Sequence, residues 1–234
     1  MSRHTNARLA GAAFLLYIAA AMSGFILGGR ASAGDTPAAK LASSAAHVGQ
    51  MRISFILILI GCLCALVLAV TLWAITRDVD PDLALLAAVC RVTEGVTGAV
   101  TLDAAADRIW LATHAGTLDA ATRDALAATR FGAPDLMGVG ATFFAIGSTI
   151  FAWLLLRGRV VPVSLAWLGV VASFAALVVL PLRQTGAIGG PLTELIWPPL
   201  LVFEVWLAIH LLVKGAAAPV PGRAICACCL RAFG

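Results

Sequence analysis

Charged residues are scarce in this chain. Asp, Glu, Lys and Arg make up 12% of its 234 residues, whereas about 25% is usual in soluble domains. Hydrophobic residues make up 61%, and their long runs extend along almost the whole sequence. This composition excludes a water-soluble fold and leaves no stretch in which a separate soluble domain could form.

Motifs for catalysis or cofactor binding are also absent. The sequence contains no G-x-S-x-G elbow, no P-loop, no H-E-x-x-H and no dinucleotide-binding glycine pattern after a strand. It has no basic stretch interleaved with aromatic residues, which is the usual footprint of nucleic-acid binding. We therefore predict no catalytic residue, no cofactor and no nucleic-acid partner.

Metal-ligand spacings are missing as well. The histidines show no spacing that brings two of them together as ligands. Three cysteines lie inside apolar runs, where thiols pack as small hydrophobic groups: Cys62, Cys64 and Cys90. Three more lie in the tail without a fourth ligand nearby: Cys226, Cys228 and Cys229. We predict no metal site, and we expect residues 216–234 to form a disordered cytoplasmic tail.

Long apolar stretches are abundant, and they define the fold class. A membrane-spanning helix needs about 20 mostly apolar residues to cross a hydrocarbon layer about 30 Å thick. Six stretches satisfy this requirement: 9–29, 53–76, 83–102, 136–156, 160–182 and 191–213. The sequence thus predicts an all-α, polytopic transmembrane bundle that forms a single domain over residues 1–215. The lipid bilayer is its first predicted partner.

Two parts of the chain require further interpretation: the segment between spans three and four, and the first apolar run. Residues 118–130 have apolar side chains at helical spacing, which predicts a short surface helix between spans three and four. This helix lies either on the membrane surface or on neighbouring helices. The first apolar run resembles a signal peptide but is too long, so we expect an uncleaved first span.

The distribution of charge predicts the orientation. With the N-terminus inside, the cytoplasmic segments carry eight Lys or Arg residues against three Asp residues. On the outer side, seven basic residues are offset by seven acidic ones. Lys and Arg of short loops accumulate on the cytoplasmic side. We therefore expect both termini in the cytoplasm.

Full charges within the spans occur at Arg91, Glu94 and Glu204. Each would oppose insertion by about 2.5–3.5 kcal/mol at the centre of a lipid-facing helix, so we expect all three to face the bundle interior. Arg91 and Glu94 are one turn apart on span three. At about 1.5 Å per residue, Glu94 and Glu204 lie at similar depths, about 16 and 15 Å from the cytoplasmic ends of their spans. We predict a buried polar cluster between spans three and six, which Thr93, Thr97 and Thr101 could extend.

Two functional classes remain open for this cluster. Its formal charge of minus one invites a protonated carboxylate, a bound cation or a further polar partner. The first interpretation is therefore an integral membrane protein that binds or transports a small solute, a proton or a lipid through the cluster. The alternative is a non-catalytic structural or regulatory protein in which the cluster only fixes helix packing. The sequence does not specify an oligomeric state.

Several short blocks also resemble a known family: Arg8 to Gly11, Arg91 to Glu94, Leu154 to Gly158, Trp167 to Gly169, and Leu211 to Gly215. Together with Glu204 they resemble a bacterial family of multi-pass membrane proteins, domain of unknown function 4386. The resemblance implies a six-helix domain in the inner membrane and no known substrate or catalytic residue. The chain departs from the family pattern at residues 130–132, where a histidine is expected, and in its cysteine-containing tail.

Overall fold

The structure, a computed structural model, describes residues 2–132 and 137–218. All the regular elements in these residues are helical. The α-helices are α1 Arg3–Ala31, α2 Pro37–Ala46, α3 Val48–Thr76, α4 Pro81–His114, α5 Ala120–Gly132, α6 Met137–Arg157, α7 Val163–Gln184 and α8 Trp197–Val213. Two short 3-10 helices precede α5 and α8, at Ala115–Thr117 and Pro191–Ile196.

Local sequence signals explain where several helices begin. Ser2, Thr36 and Asp80 precede α1, α2 and α4, and each side chain accepts a hydrogen bond from a backbone amide in the first turn. Pro37 and Pro81 occupy the first position of α2 and α4, where the missing amide hydrogen costs no helical bond. These caps set the start of each helix independently of tertiary packing.

Within residues 2–132 and 137–218, six helices are long and apolar enough to cross a membrane: α1, α3, α4, α6, α7, and α8 together with the end of the 3-10 helix before it. Large apolar side chains such as Leu63, Val100 and Val171 are exposed on the outside of the bundle. A large exposed apolar surface is unfavourable in water and matches a lipid environment. The protein is therefore a multi-pass helical membrane protein.

The six spans form a closed ring. Each packs against the next in the order α1, α3, α4, α6, α7 and α8, and α8 returns to α1. In this ring α4 lies opposite α8, and α1 lies opposite α6. Long side chains from α4 and α8 that point inward therefore meet near the centre of the bundle.

One end of the bundle carries a small helical cap, formed by α2, α5 and the last turns of α4. At about 1.5 Å per residue, α4 is about 51 Å long, which exceeds the hydrocarbon thickness. Leu41, Leu111, Ala127 and Phe131 form part of a separate apolar cluster inside this cap. The predicted surface helix is thus present as α5, and it packs on α2 and α4.

Helices differ in extent from the predicted apolar stretches, most clearly in span three and in the last span. Span three was predicted over 83–102, but α4 continues to His114 because helical hydrogen bonding does not stop where hydrophobicity stops. In the last span, Pro191 begins a 3-10 segment, and the α-helix begins at Trp197 with Pro198 in its first turn. Prolines are tolerated there because the amide hydrogens of the first turn have no acceptor within the helix, so their loss costs no helical bond.

The opposite end of the bundle is held together around Arg3. Its guanidinium donates to the Ile75 carbonyl at 2.6 Å, to Asp78 at 3.1 Å and to the Ala217 carbonyl at 3.1 Å. The Ala217 amide in turn donates to the Val160 carbonyl at 3.1 Å. This end of the bundle therefore brings together the N-terminus, the short connectors that follow α3 and α6, and the segment after α8.

Candidate functional site

Helices α4 and α8 bring the three charged residues of the spans together. Arg91 and Glu94 lie one turn apart on α4, and Arg91 Nη1 is 2.7 Å from Glu94 Oε2. Arg91 Nη2 reaches across the ring to Glu204 Oε1 on α8, at 3.5 Å. The structure thus places Arg91 between the two carboxylates, and we call these three residues the charged cluster.

The charged cluster is shielded from the outside of the bundle. The Arg91 side chain is 1% exposed, and those of Glu94 and Glu204 are 10% and 7% exposed. The Arg91 guanidinium lies 4.7 Å from the ring centroid of Phe144, 5.6 Å from that of Phe14 and 5.8 Å from that of Tyr17. Aromatic faces attract a desolvated cation, so these rings offset part of the cost of burying Arg91.

The two carboxylates are bound unequally. Glu94 accepts two hydrogen bonds of 2.7 Å, one from Arg91 and one from the hydroxyl of Tyr17 on α1. Glu204 accepts one hydrogen bond of 3.5 Å, from Arg91, within the described part of the chain. Since a hydrogen bond to an ionised group is normally shorter than 3 Å, the contact with Glu204 is the weaker one.

A small cavity of ≈ 10 Å³ lies beside Glu204. Arg91 and Ser148 also line it, and the remaining walls are apolar side chains that include Phe14, Phe151 and Phe203. Glu94 is not among the lining residues. The open space therefore adjoins only one of the two carboxylates, and it is about the size of one water molecule.

The predicted extension of the polar face by threonines is not found. The hydroxyls of Thr93, Thr97 and Thr101 each donate to a backbone carbonyl of α4 itself, at 2.7 to 2.9 Å. The Thr97 hydroxyl also donates to the backbone carbonyl of Glu94, at 3.0 Å. Among the described residues, this internal bonding satisfies each hydroxyl without a hydrogen bond to a charged side chain of the cluster.

Sequence reasoning missed Tyr17 and Ser148. Tyr17 is the single tyrosine of the chain and lies within an apolar run, which was an available signal of a buried hydroxyl needing a partner. Ser148 carried no such signal, because serine is common at packed helix interfaces in membranes.

Among the described residues, the remaining reactive groups do not line the cavity. Cys62, Cys64 and Cys90 are free thiols inside the spans. The family resemblance leads us to expect a histidine within residues 130–132. In this segment Phe131 is buried in the cap. Its neighbour Arg130 pairs with Asp107 at 2.8 Å. The tail cysteines Cys226, Cys228 and Cys229 lie outside the described residues.

Comparison with known proteins identifies the family. The family model described as a domain of unknown function, DUF4386, matches residues 9–215. The chain belongs to this family. The match to DUF4386 covers all six spans, the cap and every residue of the charged cluster. No curated protein and no solved structure is significantly similar to the chain.

Proposed function

We propose that this DUF4386 protein takes up and releases a proton at Glu204 and thereby moves protons across the bacterial inner membrane. The observation that carries the proposal is the unequal count of charges: two carboxylates and one guanidinium are enclosed at the centre of the bundle. An uncompensated charge is costly in a medium of low dielectric constant. One bound proton balances the cluster.

The geometry favours Glu204 as the group that carries this proton. Glu94 receives two short hydrogen bonds, one at each carboxylate oxygen, from Tyr17 and from Arg91. Glu204 has one long contact with Arg91 and adjoins the cavity. The cavity has room for one water and none for a lipid or an organic solute, which makes a proton the best-fitting cargo in this conformation.

Proton flux into proteoliposomes tests the proposal. Purified protein is reconstituted with a trapped pH-sensitive dye, and a pH gradient is imposed with valinomycin and potassium to prevent charge build-up. We expect the wild-type protein to dissipate the gradient faster than protein-free vesicles, and we expect Glu204→Gln to abolish the difference. Glu194→Gln is the matched control, because Glu194 is exposed and pairs with Arg183 outside the cluster. Equal rates for wild-type protein, Glu204→Gln and empty vesicles would refute the proposal.

A second function, a purely structural lock, is favoured by one specific observation. Through Arg91 and Glu94, direct hydrogen bonds connect α1, α4 and α8, and these contacts alone could fix the packing of the helices. Removing one member of a buried charged network commonly costs about 3–5 kcal/mol, whereas replacing the whole network by apolar residues is often neutral. A structural lock predicts that Arg91→Met is unstable and that Arg91→Met/Glu94→Leu/Glu204→Leu regains stability. It also predicts no proton flux in the wild-type protein.

A further inference from the structure

We infer that the cavity beside Glu204 is the binding site of a single internal water molecule, held by Arg91, Ser148 and Glu204. The inference deepens the proposed function, since it identifies the neighbour with which Glu204 exchanges its proton. Its starting point is a pair of buried polar atoms, Arg91 Nε and Ser148 Oγ, that have no hydrogen-bond partner among the described residues.

These two atoms belong to residues that line the same cavity. Arg91 and Ser148 are 1% and 5% exposed, so neither can be satisfied by bulk solvent. Both residues line the cavity, and Glu204 lines it too. Buried polar groups in proteins are nearly always paired, either with protein atoms or with an ordered water. The cavity is thus lined by two residues that each carry an unpaired polar atom, and this combination points to a ligand within it.

The size and the donor set of the site fit water. A volume of ≈ 10 Å³ accommodates one water-sized molecule, and the aromatic and aliphatic walls exclude a larger one. Arg91 Nε offers an N–H donor, Glu204 offers a carboxylate acceptor, and the Ser148 hydroxyl can do either. Internal waters typically make about three hydrogen bonds, which these three side chains provide.

The same donor set disfavours a metal cation. Hard cations require about six oxygen ligands, whereas the polar residues that line the cavity include only one carboxylate and one hydroxyl. The Arg91 guanidinium would in addition repel a cation bound at this distance. A neutral molecule that both accepts and donates hydrogen bonds fits the site better than any ion.

A water at this position would connect α6 with the charged cluster. Ser148 lies on α6, opposite α1 in the ring, and the direct hydrogen bonds of the cluster involve only α1, α4 and α8. The water gives Glu204 a second hydrogen-bond partner and supplies the atom that accepts its proton or returns one to it. In this arrangement Ser148 is a positioning residue, because it acts on Glu204 through the water.

The direct test is a high-resolution crystal structure of the full chain in a lipidic mesophase. We expect one ordered water within hydrogen-bonding distance of Ser148 Oγ and a Glu204 carboxylate oxygen. Ser148→Val replaces the hydroxyl by methyl groups that fill the cavity, and we expect it to remove this density. Ser173→Val is the matched control: Ser173 Oγ is also buried without a partner, but Ser173 does not line the cavity. If Ser148→Val does not fold, the presence of the water is judged from the wild-type structure and from Ser148→Ala, which removes the hydroxyl but keeps the cavity open.

Flux measurements separate this inference from the proposed function. We expect Ser148→Val to slow proton flux relative to wild-type protein and Ser173→Val, with Ser148→Thr retaining more flux because it keeps a hydroxyl. An empty, dry cavity in the wild-type structure would overturn the water site even if flux is present. An ordered water in a protein without flux would uphold the site and refute the proposed transport.

Discussion

Arg91 is the residue on which the interior of the protein depends. It is one of the largest fully buried side chains, and it contacts aromatic rings and carboxylates from four helices, α1, α4, α6 and α8. A guanidinium suits this position because it is planar, permanently charged and more weakly hydrated than a lysine ammonium. The arginine therefore brings a fixed positive charge, and the two carboxylates determine how many protons the cluster holds.

Replacing Tyr17 tests the hydrogen bond between its hydroxyl and Glu94. Tyr17→Phe removes the hydroxyl that donates to Glu94 at 2.7 Å and leaves the ring in place. We expect the free energy of unfolding to fall by about 1–2 kcal/mol, the range for a buried hydrogen bond to a charged group inside a membrane. Reversible unfolding in mixed micelles measures this change.

Thr71→Val is the control for Tyr17→Phe. Thr71 is also buried, but its hydroxyl donates to the Val67 carbonyl of its own helix. Losing such a local bond should change stability by only a few tenths of a kcal/mol. If both variants are equally stable, the Tyr17 hydroxyl does not support Glu94.

The charged cluster was largely predictable from the sequence, whereas its surroundings were not. Charges within apolar spans are so costly that Arg91, Glu94 and Glu204 had to face inward, and helical spacing placed the first two on one face. Tyr17 and Ser148 depend on which helices are neighbours. Hydropathy carries no information about that order. The Tyr17 hydroxyl that donates to Glu94 and the cavity beside Glu204 therefore become apparent only in the packed bundle.

Close helix crossings are the main feature at the scale of elements. A Cβ atom at Gly11 would lie 2.6 Å from the Ala208 carbonyl oxygen, where α1 crosses α8. A Cβ atom at Gly169 would meet the ring of Phe203, where α7 crosses α8. Small residues at such crossings let membrane helices approach closely. Two of the short blocks that carry the family resemblance thus hold α8, and with it Glu204, against its neighbours.

Replacing Gly11 tests the close crossing of α1 and α8. Gly11→Ala should push α1 away from α8 and lower stability by about 1–3 kcal/mol, as overpacking commonly does. Gly29→Ala on the same helix is the control, because its added Cβ meets nothing within 4 Å. That change should be neutral or stabilise the helix by about 0.5–1 kcal/mol. Thermal unfolding in detergent compares the two, and a Gly11→Ala variant as stable as Gly29→Ala would contradict the crossing.

Hydropathy did not predict two parts of the cap, helix α2 and the final turns of α4. Helix α2 consists mostly of Ala and Ser and has no long apolar run, so no helix was predicted at residues 37–46. The final turns of α4 are polar on one side and apolar on the other, and their apolar side packs against α5 through Leu111 and Ala112. A search for stretches that are apolar all round finds spans and overlooks such half-buried helices.

At the scale of the whole molecule, the two ends of the bundle differ in charge. The end that holds the N-terminus has two short connectors with Arg77, Arg157 and Arg159, and Lys214 follows α8 at the same end. Asp78, Asp80 and Asp82 offset only part of this charge, and two of them form ion pairs, Asp78 with Arg3 and Asp80 with Arg157, both at 3.1 Å. At the cap end, the sequence matches seven basic residues with seven acidic ones, which include the pairs Arg130 with Asp107 and Arg183 with Glu194. Since basic residues in short connectors remain in the cytoplasm, we expect the termini inside and the cap outside.

Cysteine accessibility in intact cells tests this orientation. In a background with all six native cysteines replaced, Thr117→Cys reports on the cap and Lys214→Cys on the end that holds the termini. We expect a membrane-impermeant maleimide to label Thr117→Cys directly and Lys214→Cys only after the membrane that holds the protein is permeabilised. Asp78→Cys, in a connector at the same end as Lys214, should behave like Lys214→Cys. The reverse pattern would place the cap in the cytoplasm and invert the topology.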